Sequence, residues 1–119
     1  MNVKLDRYSS SFVKEISYIL QNEIKDSNIN FVTITGCSIS SDLSFAKVFF
    51  TVLDDSKKMD TLKALNKAAS FIRGELSERV DIRHTPELKF IYDNSVAYGQ
   101  RIESIIEGLH EKDSEDTQN

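Results

Sequence analysis

Near the start of the chain, Phe12, Val13, Ile16, Ile19, Leu20 and Ile24 recur mostly three or four residues apart. That spacing gathers side chains on one face of a helix and predicts one from residue 6 or 9 to about 26. On the opposite side Arg7, Lys14, Tyr18, Gln21 and Lys25 fall in one stripe, with the acids Glu15, Glu23 and Asp26 on its flank. The polar run DSNIN ends the element. The period then changes to alternation. In FVTITGCSI, Val32 and Ile34 share a parity that moves after Gly36 to Cys37 and Ile39. A phase slip at a glycine predicts a strand with a β-bulge. After the turn SSDL, the run SFAKVFFTVL puts Ala46, Val48, Phe50 and Val52 on the core face and Phe45, Lys47 and Phe49 on the other. A link this short makes the two strands an antiparallel hairpin.

The loop DDSKKMD supplies a helix N-cap, and a second helical pattern covers residues 60–80. Its middle, LNKAASFIRGEL, puts Leu65, Ala69, Ile72 and Leu76 on the buried face, and Lys63, Lys67, Ser70 and Gly74 in an outward row. The small residues Ala68, Ala69 and Ser70 soften the centre. DIRHTP is a connector, and Pro86 ahead of ELKFIYD predicts a third strand at a sheet edge, with Leu88, Phe90 and Tyr92 inward. Asn94 or Ser95 can cap a last helix with the apolar stripe Tyr98, Ile102, Ile105 and Leu109. Helix, strand, strand, soft-centred helix pair, strand, helix is an α+β order, with one layer of helices on a small sheet.

A length of 119 residues, 39% of them hydrophobic, suits a single domain with one core. The net charge of −4 is unevenly distributed. Residues 103–119 hold six acids and one base, net −5, whereas the preceding 102 residues hold 14 bases and 13 acids, net +1. The ending EKDSEDTQN has no apolar residue, so residues 111–119 are expected to form a disordered acidic tail behind a domain of residues 1–110. No apolar run could span a bilayer, and the polar start MNVKLDRYSSS does not read as a signal peptide. A cytoplasmic protein without membrane contact is expected.

Catalytic patterns are missing. The chain has no G-x-S-x-G, no phosphate loop and no H-E-x-x-H. Asp54 and Asp55 sit in a turn-rich loop, where carboxylates cap. Cys37, the single cysteine, lies on a strand and reads as a small buried hydrophobe. His84 and His110 have no ligand-spaced partner, so neither a metal nor a cofactor is expected. The basic stripes remain. Phosphates need cations, and a nucleic-acid backbone needs close approach, which small residues permit. Lysines on a helix exterior also serve simply as a solvated face.

The segments ILQNEIKD, DLSFAKVFFTVL, LNKAASFIRGEL and PELKFIYDNS, in this order and spacing, resemble the ribosome-binding factor A family over residues 6–109. The resemblance implies a single type II KH-like domain, in the order helix, strand, strand, helix, kink, helix, strand. It also implies a non-catalytic factor, expected to act as a monomer with no small-molecule substrate. Such a factor binds the small ribosomal subunit and its 16S rRNA, assists late rRNA maturation and matters most in the cold. The family's Ala-x-Gly kink maps onto Ala68, Ala69 and Ser70, so serine stands where the family has glycine. The expected junction at Ser70 faces RNA. The RNA-contacting set is Lys63, Lys67, Ala68, Ala69, Ser70 and Arg73 around the junction, Arg83 in the connector, and Arg7, Lys14 and Lys25 on the first helix. The alternative is a protein–protein adaptor whose last helix and acidic end bind a ribosomal protein or another assembly factor.

Overall fold

The computed structural model describes residues 3–95. Its elements are helix α1 (Val3–Asn22), strands β1 (Val32–Ile39) and β2 (Phe45–Val52), helix α2 (Lys58–Arg79) and strand β3 (Glu87–Tyr92). Short 3-10 turns, Ser27–Ile29 and Asp55–Lys57, precede β1 and α2. The expected last helix and acidic tail lie outside the described residues.

α1 buries Phe12, Ile16, Ile19 and Leu20, the apolar face read from the spacing. It stops four residues sooner than the pattern predicted. The Asn22 amide turns back onto the Tyr18 carbonyl at 3.0 Å. Asp26 is taken by the next turn, where its carboxylate accepts from the Asn28 N–H at 2.9 Å. Lys25 therefore lies beyond the helix, and the predicted stripe from Arg7 to Lys25 is shortened. Ile24 still packs against the core from the loop.

β1 and β2 pair antiparallel, with a register shift between Ile34 and Gly36. The glycine phase slip is thus a β-bulge, as the alternation predicted. At the hairpin, Leu43 has φ 63°, a conformation costly for a branched side chain. The side chain is buried in the core, and the turn is tied around it. The Ser40 hydroxyl accepts from the Ser44 and Phe45 N–H groups at 3.1 and 3.0 Å. The Asp42 carboxylate accepts from the Ser44 N–H at 3.0 Å.

β3 pairs parallel with β2, so the sheet order is β1-β2-β3 and β3 is an edge strand. A parallel neighbour requires a crossover, which α2 supplies. Both helices pack on one face of the sheet. The core there joins Ile16, Leu20, Val48, Phe50, Leu65, Ile72, Leu88 and Phe90, the set expected from the pattern. Tyr92 closes its end, edge-on to Phe50 with ring centroids 5.6 Å apart. Its hydroxyl donates to Asp55 at 3.1 Å. The other face of the sheet carries no described element.

α2 corrects one expectation. It is a single unbroken helix of 22 residues, with no junction at Ser70. Alanine is the strongest helix former and serine is tolerated, so Ala68, Ala69 and Ser70 propagate the helix that a glycine would weaken. Ala68 and Ala69 are half-buried against the core, and Ser70 faces out.

A candidate nucleic-acid interface on the second helix

The outer side of α2 is built from residues at steps of four, three and four. Lys63, Lys67, Ser70 and Gly74 are all exposed along it, a row about 16 Å long at helical rise. A Cβ added at Gly74 would meet nothing within 4 Å. The glycine is not required by packing, and it leaves the helix backbone accessible. Below it lies a shallow groove of about 350 Å³, lined by Ser70, Arg73, Gly74, Ser77, His84 and Thr85. His84 was set aside in the sequence as an ordinary surface residue. The connector carries it beside Ser70 and Gly74, an adjacency no linear spacing could reveal.

Arg73 has a structural task. Its Nε and Nη2 donate to the Thr85 carbonyl at 3.1 and 2.8 Å. Proline follows Thr85 and is buried, so this clamp fixes the connector where it enters β3. Arg83, in the same connector, is exposed.

The α1 candidates occupy a different setting. Arg7 and Lys14 are exposed. Lys14 lines a separate groove with Glu15, Ser17, Tyr18, Gln21 and Arg79. Arg79, at the end of α2, contacts Glu15 at 3.5 Å and Glu75 at 3.1 Å, and it also pairs with Glu23. Its guanidinium carbon sits 5.3 Å from the Tyr18 ring centroid. Hydrogen bonding to Glu75, and then to Glu23, raises its pKa further. Three carboxylates meet one guanidinium, so the surroundings of Lys14 stay net negative. The structure therefore separates the basic residues. The Lys63–Lys67 row stands clear of these acids, and the α1 pair stands beside them. Sequence spacing placed Glu15 and Glu23 on a flank but could not show that an arginine more than fifty residues away gathers them.

Polar and thiol groups elsewhere have structural explanations. Burial pushes the Cys37 thiol up to about 11, which keeps it protonated and unreactive at neutral pH. Asp54 accepts from the Ser56 N–H at 3.0 Å and caps the turn before α2. Thr61, buried, donates to the Asn28 carbonyl at 2.9 Å and ties α2 to the segment before β1.

The fold and surface define a class: a small α+β domain with one helical layer on a three-stranded sheet and a lysine-bearing helix face open to solvent. A family model described as Ribosome-binding factor A matches residues 4–106, and this chain belongs to that family. It is 46% identical over 112 residues to "Ribosome-binding factor A" of Staphylococcus carnosus, covering 93% of this chain and 97% of the relative. It is also 46% identical over 114 residues to the protein of the same name from Staphylococcus saprophyticus, covering 95% and 100%. Among solved structures, the fold is similar to the crystal structure of ribosome-binding factor A from Thermus thermophilus. That match has a TM-score of 0.68 at 20% identity, over 74% of this chain and 94% of that one. A solution structure of a Thermotoga maritima protein described as a putative ribosome binding factor A matches with a TM-score of 0.66 at 24% identity, over 80% and 93%. A Thermus thermophilus ribosome binding factor A homology model, fitted into the cryo-EM map of a 30S complex, matches at 0.60 and 21%, over 72% and 91%.

Proposed function

We propose that this protein is a non-catalytic assembly factor of the small ribosomal subunit. It grips 16S rRNA through the outer face of α2 and assists late maturation of that RNA in the cytoplasm. The observation that carries the reading is the exposed row Lys63, Lys67, Ser70 and Gly74 on an unbroken helix, with an open groove beside it. Two ammonium groups one helical turn apart bind phosphates without regard to base. The small side chains next to them let a sugar–phosphate backbone approach. Family membership supports the partner, since a relative is represented in a complex with the 30S subunit. On this reading the domain is type II KH-like, spans residues 1–110 and acts as a monomer, with residues 111–119 as an acidic tail. Arg73 contributes by holding the connector, which presents His84 and Arg83 at the rim of the same groove.

The test is sedimentation with purified small subunits, mature and immature, at two salt concentrations. Lys63→Gln/Lys67→Gln should weaken binding and leave the unfolding midpoint unchanged. The slope of log affinity against log salt should shrink by about one unit per lost phosphate contact. Binding that is insensitive to both salt and the double variant would overturn RNA gripping and favour the adaptor reading.

A further inference from the structure

We propose that the open face of the sheet is covered by the chain's own next segment, residues 96–109, docked as an amphipathic helix antiparallel to β3. The face opposite α1 and α2 carries Phe45 and Ile91, 42% and 37% exposed, with half-buried Phe49 between them in register. Lys47 and Lys89 lie one step further along the strands. The chain leaves β3 on this side. Side chains alternate along a strand, and Leu88 and Phe90 are buried on the helical side, so Asp93 belongs to the open face. Its N–H donates to the Phe50 carbonyl at 2.8 Å. Its carboxylate accepts from the Thr35 hydroxyl at 2.6 Å, on the bulge of β1 and thus across β2. The same carboxylate accepts from the Ser95 N–H at 2.9 Å, as a helix N-cap does. The exit is therefore directed over the sheet and capped to begin a helix.

Length and pattern fit the space. Residues 96–109 as a helix span about 21 Å. The open face from the level of Asp93, opposite Thr51, to Phe45 spans about 20 Å. Tyr98, Ile102, Ile105 and Leu109 recur at helical spacing and would meet Ile91, Phe49 and Phe45 in turn. The acids from Glu111 to Asp116 would then emerge at the end of the sheet that bears Lys47 and Lys89. RNA stacking on this face is disfavoured, because the Lys89 ammonium already sits over the Phe45 ring, 4.7 Å from its centroid.

Hydrogen exchange and NMR contacts on the full chain test the docking. Amides of residues 98–109 should exchange about tenfold or more slowly than an unstructured chain, with contacts from Tyr98 or Ile102 to Phe49 or Ile91. Ile102→Asp/Ile105→Asp in the full chain should abolish that protection. It should shift the Phe45, Phe49 and Ile91 signals and leave those of the α1–α2 core in place. Unprotected amides in the parent chain would overturn the proposal. So would contacts that vanish on dilution, which would assign the face to a second copy. A single-stranded RNA oligomer shifting Phe45 and Phe49 while residues 98–109 stay unprotected would assign it to RNA and overturn the proposal as well.

Discussion

At the scale of single residues, carboxylates hold the turns of this fold, and Asp42 shows how. It accepts from the hydroxyls of Ser40 and Ser44 at 2.8 and 2.6 Å and from the Ser44 N–H. The Ser44 hydroxyl, with the other two donors, brings its pKa down to about 2 from an ordinary 3.8. These bonds favour the ionised form in the folded state, so the folded pKa lies below the unfolded one. The stabilisation is complete above pH 4 and is lost as pH falls toward 2. Leu43 needs that support, since its left-handed backbone is costly and its side chain is committed to the core. Asp42→Asn should therefore flatten part of the decline in Tm between pH 4 and 2, and it should lower Tm at pH 7. A variant with the parent's full pH dependence would remove Asp42 from the account of the turn.

At the scale of elements, α2 decides between two backbones for one sequence. A kinked junction would hold residue 70 in a conformation that glycine adopts freely and serine avoids. In an unbroken helix the preference reverses, because glycine loses more conformational freedom there. Ser70→Gly should destabilise the domain by about 0.5–1 kcal/mol, measured by denaturant unfolding. A stabilised variant would place a kink there in solution. The hairpin, the bulge, the buried faces of both helices and the edge position of β3 were legible in the sequence, because each is written as a short-range period or a break in one. The continuity of α2 was not, since small residues in mid-helix suit either a joint or close packing. The early stop of α1 was also hidden. Its apolar period runs on to Ile24, while the break depends on Asn22 and Asp26 hydrogen-bonding to backbone. For the candidate site, the outward row on α2 was legible from its spacing, whereas His84 at its rim and the clamp of Arg73 on Thr85 exist only once the connector folds back.

At the scale of the whole molecule, the distribution of charge matters more than its sum. The chain carries −4 overall, yet its basic residues do not face equal fields. Lys14 shares a groove with Glu15 and Arg79, and Arg79 is engaged by three carboxylates. A phosphate approaching Lys14 therefore meets uncompensated negative charge within a Debye length. Lys67 projects from a row whose neighbours are Lys63, Ser70 and Gly74, and none of these opposes an anion. Equal substitutions should then have unequal effects. Lys67→Gln should weaken small-subunit binding and reduce its salt slope by about one unit, while Lys14→Gln should change the affinity less than Lys67→Gln and leave the slope near the parent's. Neither should alter the unfolding midpoint, since both side chains are exposed. Titrations of both variants at two salt concentrations check this. A larger effect at Lys14 would move the RNA grip to α1 and require the Arg79 cluster to open on binding.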